Sequence, residues 1–137
     1  DSVTINGVTL QGSVNGKHPQ GWGTWVRPTA SGAAFVNNVV QDNVVGLYLN
    51  GTDHTVQYNL FRSNNRAGSL SGDGIYSDFG LQGAEILDNS FTGHHSASIV
   101  VLGGVKGGTV SDLTIDGNSI VNDGTIAIFN SPIAFVI

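Results

Sequence analysis

The fold of this chain is decided by the stretch Ile86-Leu87-Asp88-Asn89-Ser90-Phe91, because its pattern occurs five times along the sequence. The pattern is an apolar anchor, two variable residues, a turn residue that is usually Asn, and then a second apolar residue. The other copies are Ile5–Leu10, Phe35–Val40, Val56–Phe61 and Ile115–Ile120. Successive anchors lie 30, 21, 30 and 29 residues apart. A period of this size is typical of a solenoid, in which each repeat stacks on the previous one.

Each repeat contains three short strands, which we name a, b and c. Apolar residues alternate within them and do not recur at the helical period. Strand a ends at the anchor, strand b carries the second apolar residue, and strand c follows after a loop. The c strands are Gly23–Val26, Gly46–Leu49, Gly74–Ser77, Ser98–Val101 and Thr125–Ile128. We therefore predict a single all-β domain over residues 1–137, with about five coils, three parallel sheets and essentially no helix.

The turn between strands a and b carries a nearly constant Asn. It is found in the last four repeats, as Asn38, Asn59, Asn89 and Asn118. Asn tolerates left-handed backbone, and its amide can bond to the same amide one coil away. We therefore expect a structural ladder. Since Val8 takes this position in the first repeat, the ladder should begin at the second.

These coils resemble the right-handed parallel β-helix of the pectate-lyase-like superfamily and its generic β-helix repeats. The resemblance covers nearly the whole chain. It is carried by Asn59-Leu60-Phe61, Asp88–Phe91, Gly117–Ile120, Gly46-Leu47-Tyr48 and Gly74-Ile75-Tyr76. It implies a fold rather than an activity. The catalytic signatures of that family are missing, since there is no paired Asp-Asp, no Gly-His-Gly and no complete Arg-x-Pro-x-x-Arg.

The composition excludes several classes of function. Only 11% of residues are charged, the formal charge is −5, and the five cations are scattered along the chain. This argues against binding to nucleic acid or to anionic membranes. Disulfides and thiolate chemistry are excluded because there is no Cys. Acidic β proteins rich in Gly and Asn are common outside bacterial cells, so we expect an extracellular or cell-surface location, in a bacterium.

The edge beside strand c is the expected position of a site, because the variable b-to-c loops all rise along it. In the enzymes that the fold resembles, the substrate cleft lies along this kind of edge. The edge gathers His18, Trp22, Asp42, Arg66, Asp73, His94, His95 and Asp123. The central residue of each c strand should also point outward, which places Trp25, Tyr48 and Tyr76 in one column. An exposed aromatic strip of this kind suits the apolar faces of sugars.

The ligand-binding residues expected from this pattern are Trp25, Tyr48, Tyr76, Trp22 and Arg66. Two alternatives remain open for the aromatic column. A long loop such as Gly12–Trp22 could fold back and bury it as local packing, or a neighbouring protein could dock on it.

The titratable residues suggest weaker catalytic hypotheses. Asp42 and Asp73 are candidates for a glycosidase carboxylate pair, and Asp73 with His94 and His95 for an acid/base group. Adjacent residues in an extended chain face opposite ways, so a solvated loop is the favoured interpretation of the two histidines. For His54, a surface turn is favoured in the same way.

Metal binding is a weaker hypothesis still. Asp73 and Asp78 offer the oxygen ligands that Ca²⁺ prefers, but the calcium-binding Gly-Gly-x-Gly-x-Asp repeat is absent. No other cofactor is expected.

The stretch Ile133–Ile137 reads as the opening strand of a sixth coil. Because exposed solenoid ends need covering, we expect either a continuation of the β-helix or end-to-end self-association. The function favoured by the sequence is a non-catalytic module that binds a glycan or a neighbouring protein. The alternatives are a polysaccharide lyase, hydrolase or epimerase using the same edge, and a self-assembling matrix, sheath or filament subunit.

Overall fold

A computed structural model describes residues 2–14 and 21–129. The described chain forms three five-stranded sheets, to which each repeat contributes one strand a, one strand b and one strand c. Sheet a contains Thr4–Asn6, Ala34–Val36, Thr55–Gln57, Glu85–Leu87 and Thr114–Asp116. Sheet b contains Thr9–Gln11, Val39–Gln41, Leu60–Arg62, Ser90–Thr92 and Ser119–Val121. Sheet c contains Trp22–Val26, Val45–Leu49, Asp73–Ser77, Ala97–Leu102 and Thr125–Phe129.

All strand pairs are parallel, and they join equivalent positions of neighbouring repeats. In sheet a, Phe35 pairs with Ile5 on one side and with Val56 on the other. The prediction of an all-β protein with stacked parallel sheets is thus confirmed. Across the described ranges the helical content is one 3₁₀ turn, Val105–Gly107, which agrees with the expectation of essentially no helix.

A fourth, three-stranded sheet was not predicted. We name it sheet d; it lies between strands c and a of successive repeats and contains Gly51–Thr52, Leu81–Gln82 and Val110–Ser111. Strands of two residues are too short to show an alternating apolar pattern, so the sequence carries no periodic signal for them.

The main core is the interior enclosed by the sheets. It is filled by columns of apolar side chains from equivalent positions, and Phe61 stacks on Phe91 with ring centroids 4.9 Å apart. The turn from sheet a to sheet b begins with a left-handed residue in each repeat, for example Asn37 (φ 56°) and Asp88 (φ 53°). The chain can thus turn sharply and carry the following Asn into the ladder.

Sheet c has a second, smaller apolar cluster on its outer face. It forms because Gly46 and Leu47 both face inward, which reverses the alternation and leaves Val45 and Tyr48 facing outward. A Cβ on Gly46 would lie 2.4 Å from the carbonyl oxygen of Gly74, so a side chain there has no room. The outer cluster comprises Val44, Val45, Tyr48 and Tyr76, with Trp22, Phe79, Val100 and Leu102 packed against it.

The predicted sixth strand, Ile133–Ile137, lies outside the described residues, as does His18. None of the described helical structure is long and apolar enough to cross a membrane.

Candidate functional site

The aromatic column on sheet c is aligned as the sequence predicts. Trp25 pairs with Tyr48, and Tyr48 pairs with Tyr76, along neighbouring strands. The rings of Trp25 and Tyr48 stack with centroids 6.2 Å apart, and those of Tyr48 and Tyr76 lie 5.4 Å apart.

The column is not the exposed strip that we expected. Trp25 is 43% exposed, but Tyr48 and Tyr76 are only 2% and 7% exposed. They are covered by neighbouring side chains of the outer cluster. The Trp22 ring meets the Tyr48 ring edge-on at 4.6 Å, and the Phe79 ring centroid lies 6.4 Å from that of Tyr48. Local packing therefore covers two of the three rings, and Trp25 is the member of the column that a ligand can reach.

The hydroxyl groups of Tyr48 and Tyr76 bond to one buried carboxylate. Asp78 accepts hydrogen bonds from the hydroxyls of Tyr48 and Tyr76, the latter at 3.3 Å. Lys106 Nζ lies 2.6 Å from the same carboxylate and 4.1 Å from the Phe79 ring centroid. Burial, followed by the nearby Asp78, raises the pKa of both tyrosines well above the usual range. The arrangement is a polar network that joins the 3₁₀ turn to the end of a strand of sheet c.

Asp73 and Asp78 do not form the calcium site considered from the sequence. They stand at opposite ends of the strand Asp73–Ser77, and five residues of extended chain span about 16 Å. More generally, within residues 2–14 and 21–129 no three His, Cys, Asp or Glu side chains lie together as a metal site would require.

Asp73 is a buried carboxyl group with incomplete hydrogen bonding. It is 4% exposed, and its Oδ1 atom has no hydrogen-bond partner. Burial raises the pKa of Asp73 to about 6, although hydrogen bonds from Ser96 and the Ala97 amide, and the nearby His95, act in the opposite direction. The structure brings this carboxyl group near His95, one of the two histidines considered with it as an acid/base group.

His94 does not join that group, and the expectation of a solvated loop is wrong for it. The side chain is buried and turns into the protein, whereas His95 remains exposed. The Asn64 Nδ2 group lies 3.0 Å from His94 Nε2, and His94 Nδ1 lies 2.7 Å from Asp123 Oδ2. Since Asn64 can only donate there, the ring is the neutral tautomer with its proton on Nδ1. Burial lowers the pKa of His94, in keeping with this neutral form.

These contacts belong to a second ladder, at the corner after sheet b. Asn43 Nδ2 donates to Asn64 Oδ1 at 2.9 Å, and the chain of bonds continues through His94 to Asp123. Ser98 Oγ also donates to Asp123, at 2.9 Å. The sequence analysis missed this ladder because its members differ in type. Their common signal is position, since each lies three residues after the inward apolar residue of strand b.

The Asn ladder itself is confirmed in full. The Nδ2 group of each Asn donates to Oδ1 of the next, at 3.0 Å from Asn38 to Asn59, 2.9 Å from Asn59 to Asn89 and 3.0 Å from Asn89 to Asn118. In the first repeat the Val8 amide donates to Asn38 Oδ1, so the side-chain ladder begins at the second repeat as expected.

His54 is likewise not a surface residue. It is fully buried, accepts a hydrogen bond from the Ala33 amide at Nδ1, and lies 2.8 Å from the Asn50 carbonyl through Nε2. Burial lowers its pKa. The favoured surface-turn interpretation is therefore wrong, because the imidazole satisfies backbone groups of two repeats.

The remaining candidates, Asp42 and Arg66, lie in the loops that follow sheet b. Asp42 occupies a left-handed turn position (φ 56°) directly after sheet b. Arg66 lies in the exposed loop that precedes Asp73, where its amide donates to the Asn43 carbonyl. The carboxylate pair and the ligand-binding role of Arg66 stay untested predictions.

The accessible part of the site is the region around Trp25. The Arg27 guanidinium lies 5.4 Å from the Trp25 ring centroid. Both side chains border a cavity of about 320 Å³, whose other lining residues include Val3, Ile5, Thr29 and Phe35. This region combines a flat aromatic ring, a cation, a hydroxyl and an apolar concavity.

No protein-family model, curated protein or solved structure matches this chain. What can be inferred about its function therefore comes from the geometry described above.

Proposed function

We propose that this chain is a right-handed parallel β-helix of about five coils, of the pectate-lyase-like kind. The parallel stacking of equivalent positions and the internal Asn ladder support this proposal. The handedness is the one expected for parallel strands joined by crossover connections.

In this proposal the protein is a non-catalytic module outside a bacterial cell or on its surface, and it binds a glycan at Trp25. The observation that carries the proposal is the exposure of Trp25, since Tyr48 and Tyr76 in the same column are covered. Indole faces suit the C–H faces of pyranose rings, while Arg27 and Thr29 offer donors to sugar hydroxyl or carboxylate groups. Trp22 packs beside the Trp25 ring, with the ring centroids 5.3 Å apart.

A catalytic role receives less support from the same edge. Asp73 has the raised pKa that a general acid needs, but its carboxyl group is enclosed by protein. A glycosidase needs two carboxylates facing one glycosidic bond. Asp42, the other candidate, belongs to the turn of the preceding repeat.

A glycan array probed with the wild type and with Trp25→Ala tests the proposal. We expect binding to a subset of glycans and a loss of about five- to thirtyfold for Trp25→Ala, as one lost stacking contact of about 1–2 kcal/mol implies. Tyr58→Asn is the matched control, because Tyr58 is also exposed, lies away from sheet c, and has a left-handed backbone that Asn accepts. Equal binding by Trp25→Ala and the wild type would refute the proposal, and capture of a protein ligand instead would favour docking of a neighbour.

A further inference from the structure

The side chain of Asn64 fixes the direction of the second ladder next to His94. Its Oδ1 atom accepts from the backbone amide and the Nδ2 group of Asn43, at 3.3 and 2.9 Å. Its Nδ2 group donates to the Val40 carbonyl at 2.9 Å. A reversed amide would place like groups together at each of these contacts. Asn64 therefore offers His94 Nε2, which lies 3.0 Å away, a donor and not an acceptor.

A protonated His94 does not fit this corner. The added Nε2–H would face the Nδ2 group of Asn64, which is also a donor. The other ring nitrogen is already bonded, because Nδ1 lies 2.7 Å from Asp123 Oδ2. The imidazolium could therefore bond through Nε2 only if the side chain left its buried position.

The charged groups around His94 do not remove this conflict. Burial lowers the pKa of His94 and the nearby His95 acts in the same direction, whereas the Asp123 carboxylate favours the charged ring. The ring also contacts two uncharged side chains, Asn64 and Phe91, the latter with ring centroids 6.3 Å apart. The buried ring is therefore held in its neutral form, and acidification acts against the buried position.

The loop that carries His94 is separate from the apolar core. It comprises residues 93–96, which we name the corner loop, and it connects strands b and c of the fourth repeat. The core columns include none of its residues. Gly93 has a positive φ of 77°, and His95 and Ser96 are exposed. The loop can therefore release His94 at the cost of a few hydrogen bonds, while the sheets remain paired.

We propose that His94 is an acid-operated latch of this corner, which leaves its buried position when it takes up a proton and thereby unlinks the third, fourth and fifth repeats there. The released side chain uncovers the Asn64 amide and the Asp123 carboxylate, whose side chain is fully buried while the latch is closed. The sheets and the Asn ladder stay in place, so the change is a local opening and not a general unfolding.

The other end of the corner loop stays attached as the pH falls. The amides of Ser96 and Ala97 donate to the Gly72 carbonyl at 3.1 and 3.2 Å, and the carboxyl group of Asp73 is hydrogen-bonded to Ser96. Burial raises the pKa of Asp73 to about 6, so acid makes the enclosed form of this carboxyl group more stable. The loop should therefore pivot between His94 and Ser96.

Amide hydrogen exchange measured by NMR between about pH 7 and pH 5 tests the latch. The His94 amide reports on it by donating to Asp123 Oδ1, and the Asn59 amide is the internal control, since it donates to Asn89 Oδ1 in a ladder without titratable groups. Opening takes up one proton, so its equilibrium constant should rise by up to about tenfold per pH unit below about pH 6.5. We expect the protection of His94 relative to Asn59 to fall by that factor, while that of Ser96 stays constant.

His94→Asn is the matched variant for this experiment. An Asn at this position can accept from Asn64 and donate to Asp123 without titrating, so the pH-dependent loss of protection should disappear. His95→Gln removes the neighbouring exposed histidine, and the loss should remain.

A constant ratio of protection between His94 and Asn59 in the wild type would overturn the proposal. So would a fall that persists in His94→Asn or disappears in His95→Gln, because another group would then be responsible. A loss that extends to Ser96 or Asn59 would also overturn it, since the whole loop or the whole protein would then open instead of the latch. The wild-type comparison needs no variant, and glycan binding at Trp25 plays no part in it, so either proposal can fail without the other.

Discussion

Replacing Asp73 by Asn should change how the stability of the protein depends on pH. Burial raises the pKa of this carboxyl group from an ordinary value of 3.8 to about 6. Between these two values the folded protein binds a proton that the unfolded chain has released, so the stability falls as the pH rises. A difference of roughly two pKa units, at about 1.4 kcal/mol per unit, sets an upper limit of about 3 kcal/mol for the loss. Above pH 6 and below pH 4 the contribution of Asp73 is constant.

Asp73→Asn removes this dependence while keeping a side chain of the same shape, which can still accept from Ser96 and Ala97. Urea unfolding from about pH 4 to 8 measures the free energy of unfolding of both proteins. The difference, mutant minus wild type, should increase by up to about 3 kcal/mol as the pH rises, with most of the increase between pH 4 and 6. Any constant effect of the new amide cancels in this comparison. The exposed Asp88→Asn serves as the control. Parallel curves for wild type and Asp73→Asn would show that the carboxyl group is not buried as described.

Three further predictions concern the ladders and the outer cluster. Asn59→Ala should lower the free energy of unfolding by about 3–5 kcal/mol, because the amide and Nδ2 of Asn38 lose their acceptor in a dry interior. Asn118→Ala, at the partly exposed end of the ladder, should lower it by about 1–2 kcal/mol. Equal losses for the two variants in denaturant unfolding would contradict this difference. The lowered pKa of His94 means that, just below about pH 6.5, the unfolded chain takes up a proton there and the folded protein does not. His94→Asn should therefore reduce the fall in the free energy of unfolding as the pH is lowered through this range. An identical pH dependence for the mutant and the wild type would exclude this role. Tyr48→Phe should lower the free energy of unfolding by about 1.5–3 kcal/mol, because the hydrogen bond to buried Asp78 is lost. An unchanged stability in thermal unfolding would indicate that water replaces the hydroxyl group.

The fold could be predicted from the sequence because it depends on repetition. The anchors recur often enough to define columns, and the repeated Asn identifies a ladder without any knowledge of side-chain contacts. The sequence also predicts which residues of strand c align, and Tyr48 does lie between Trp25 and Tyr76. Repetition says nothing about sheet d, whose strands are too short for a pattern.

The exposure of the candidate site could not be predicted in the same way. Whether Tyr48 faces water depends on Phe79, which follows strand c, and on Trp22, whose equivalents in the next two repeats are Val45 and Asp73. The repeat pattern does not fix the type of residue at either position. The burial of His94 could not be predicted from its neighbours in the sequence either. A histidine in a Gly-His-His-Ser loop resembles a solvated residue, and only its alignment with Asn43 and Asn64 reveals that it continues a ladder. Aligning polar residues of different types at each corner would have found it.

The second ladder has a consequence for how such a protein can change in length. Amides both donate and accept, so a duplication or deletion of the repeat carrying Asn64 would leave a continuous series of bonds. Asp123 only accepts, and His94 must be followed by an acceptor for its Nδ1 proton. A copy of the last repeat inserted after itself would set two carboxylates against each other in a buried corner. The order of residues along this corner therefore allows the solenoid to grow by duplication in its middle and opposes growth by duplication of its last repeat.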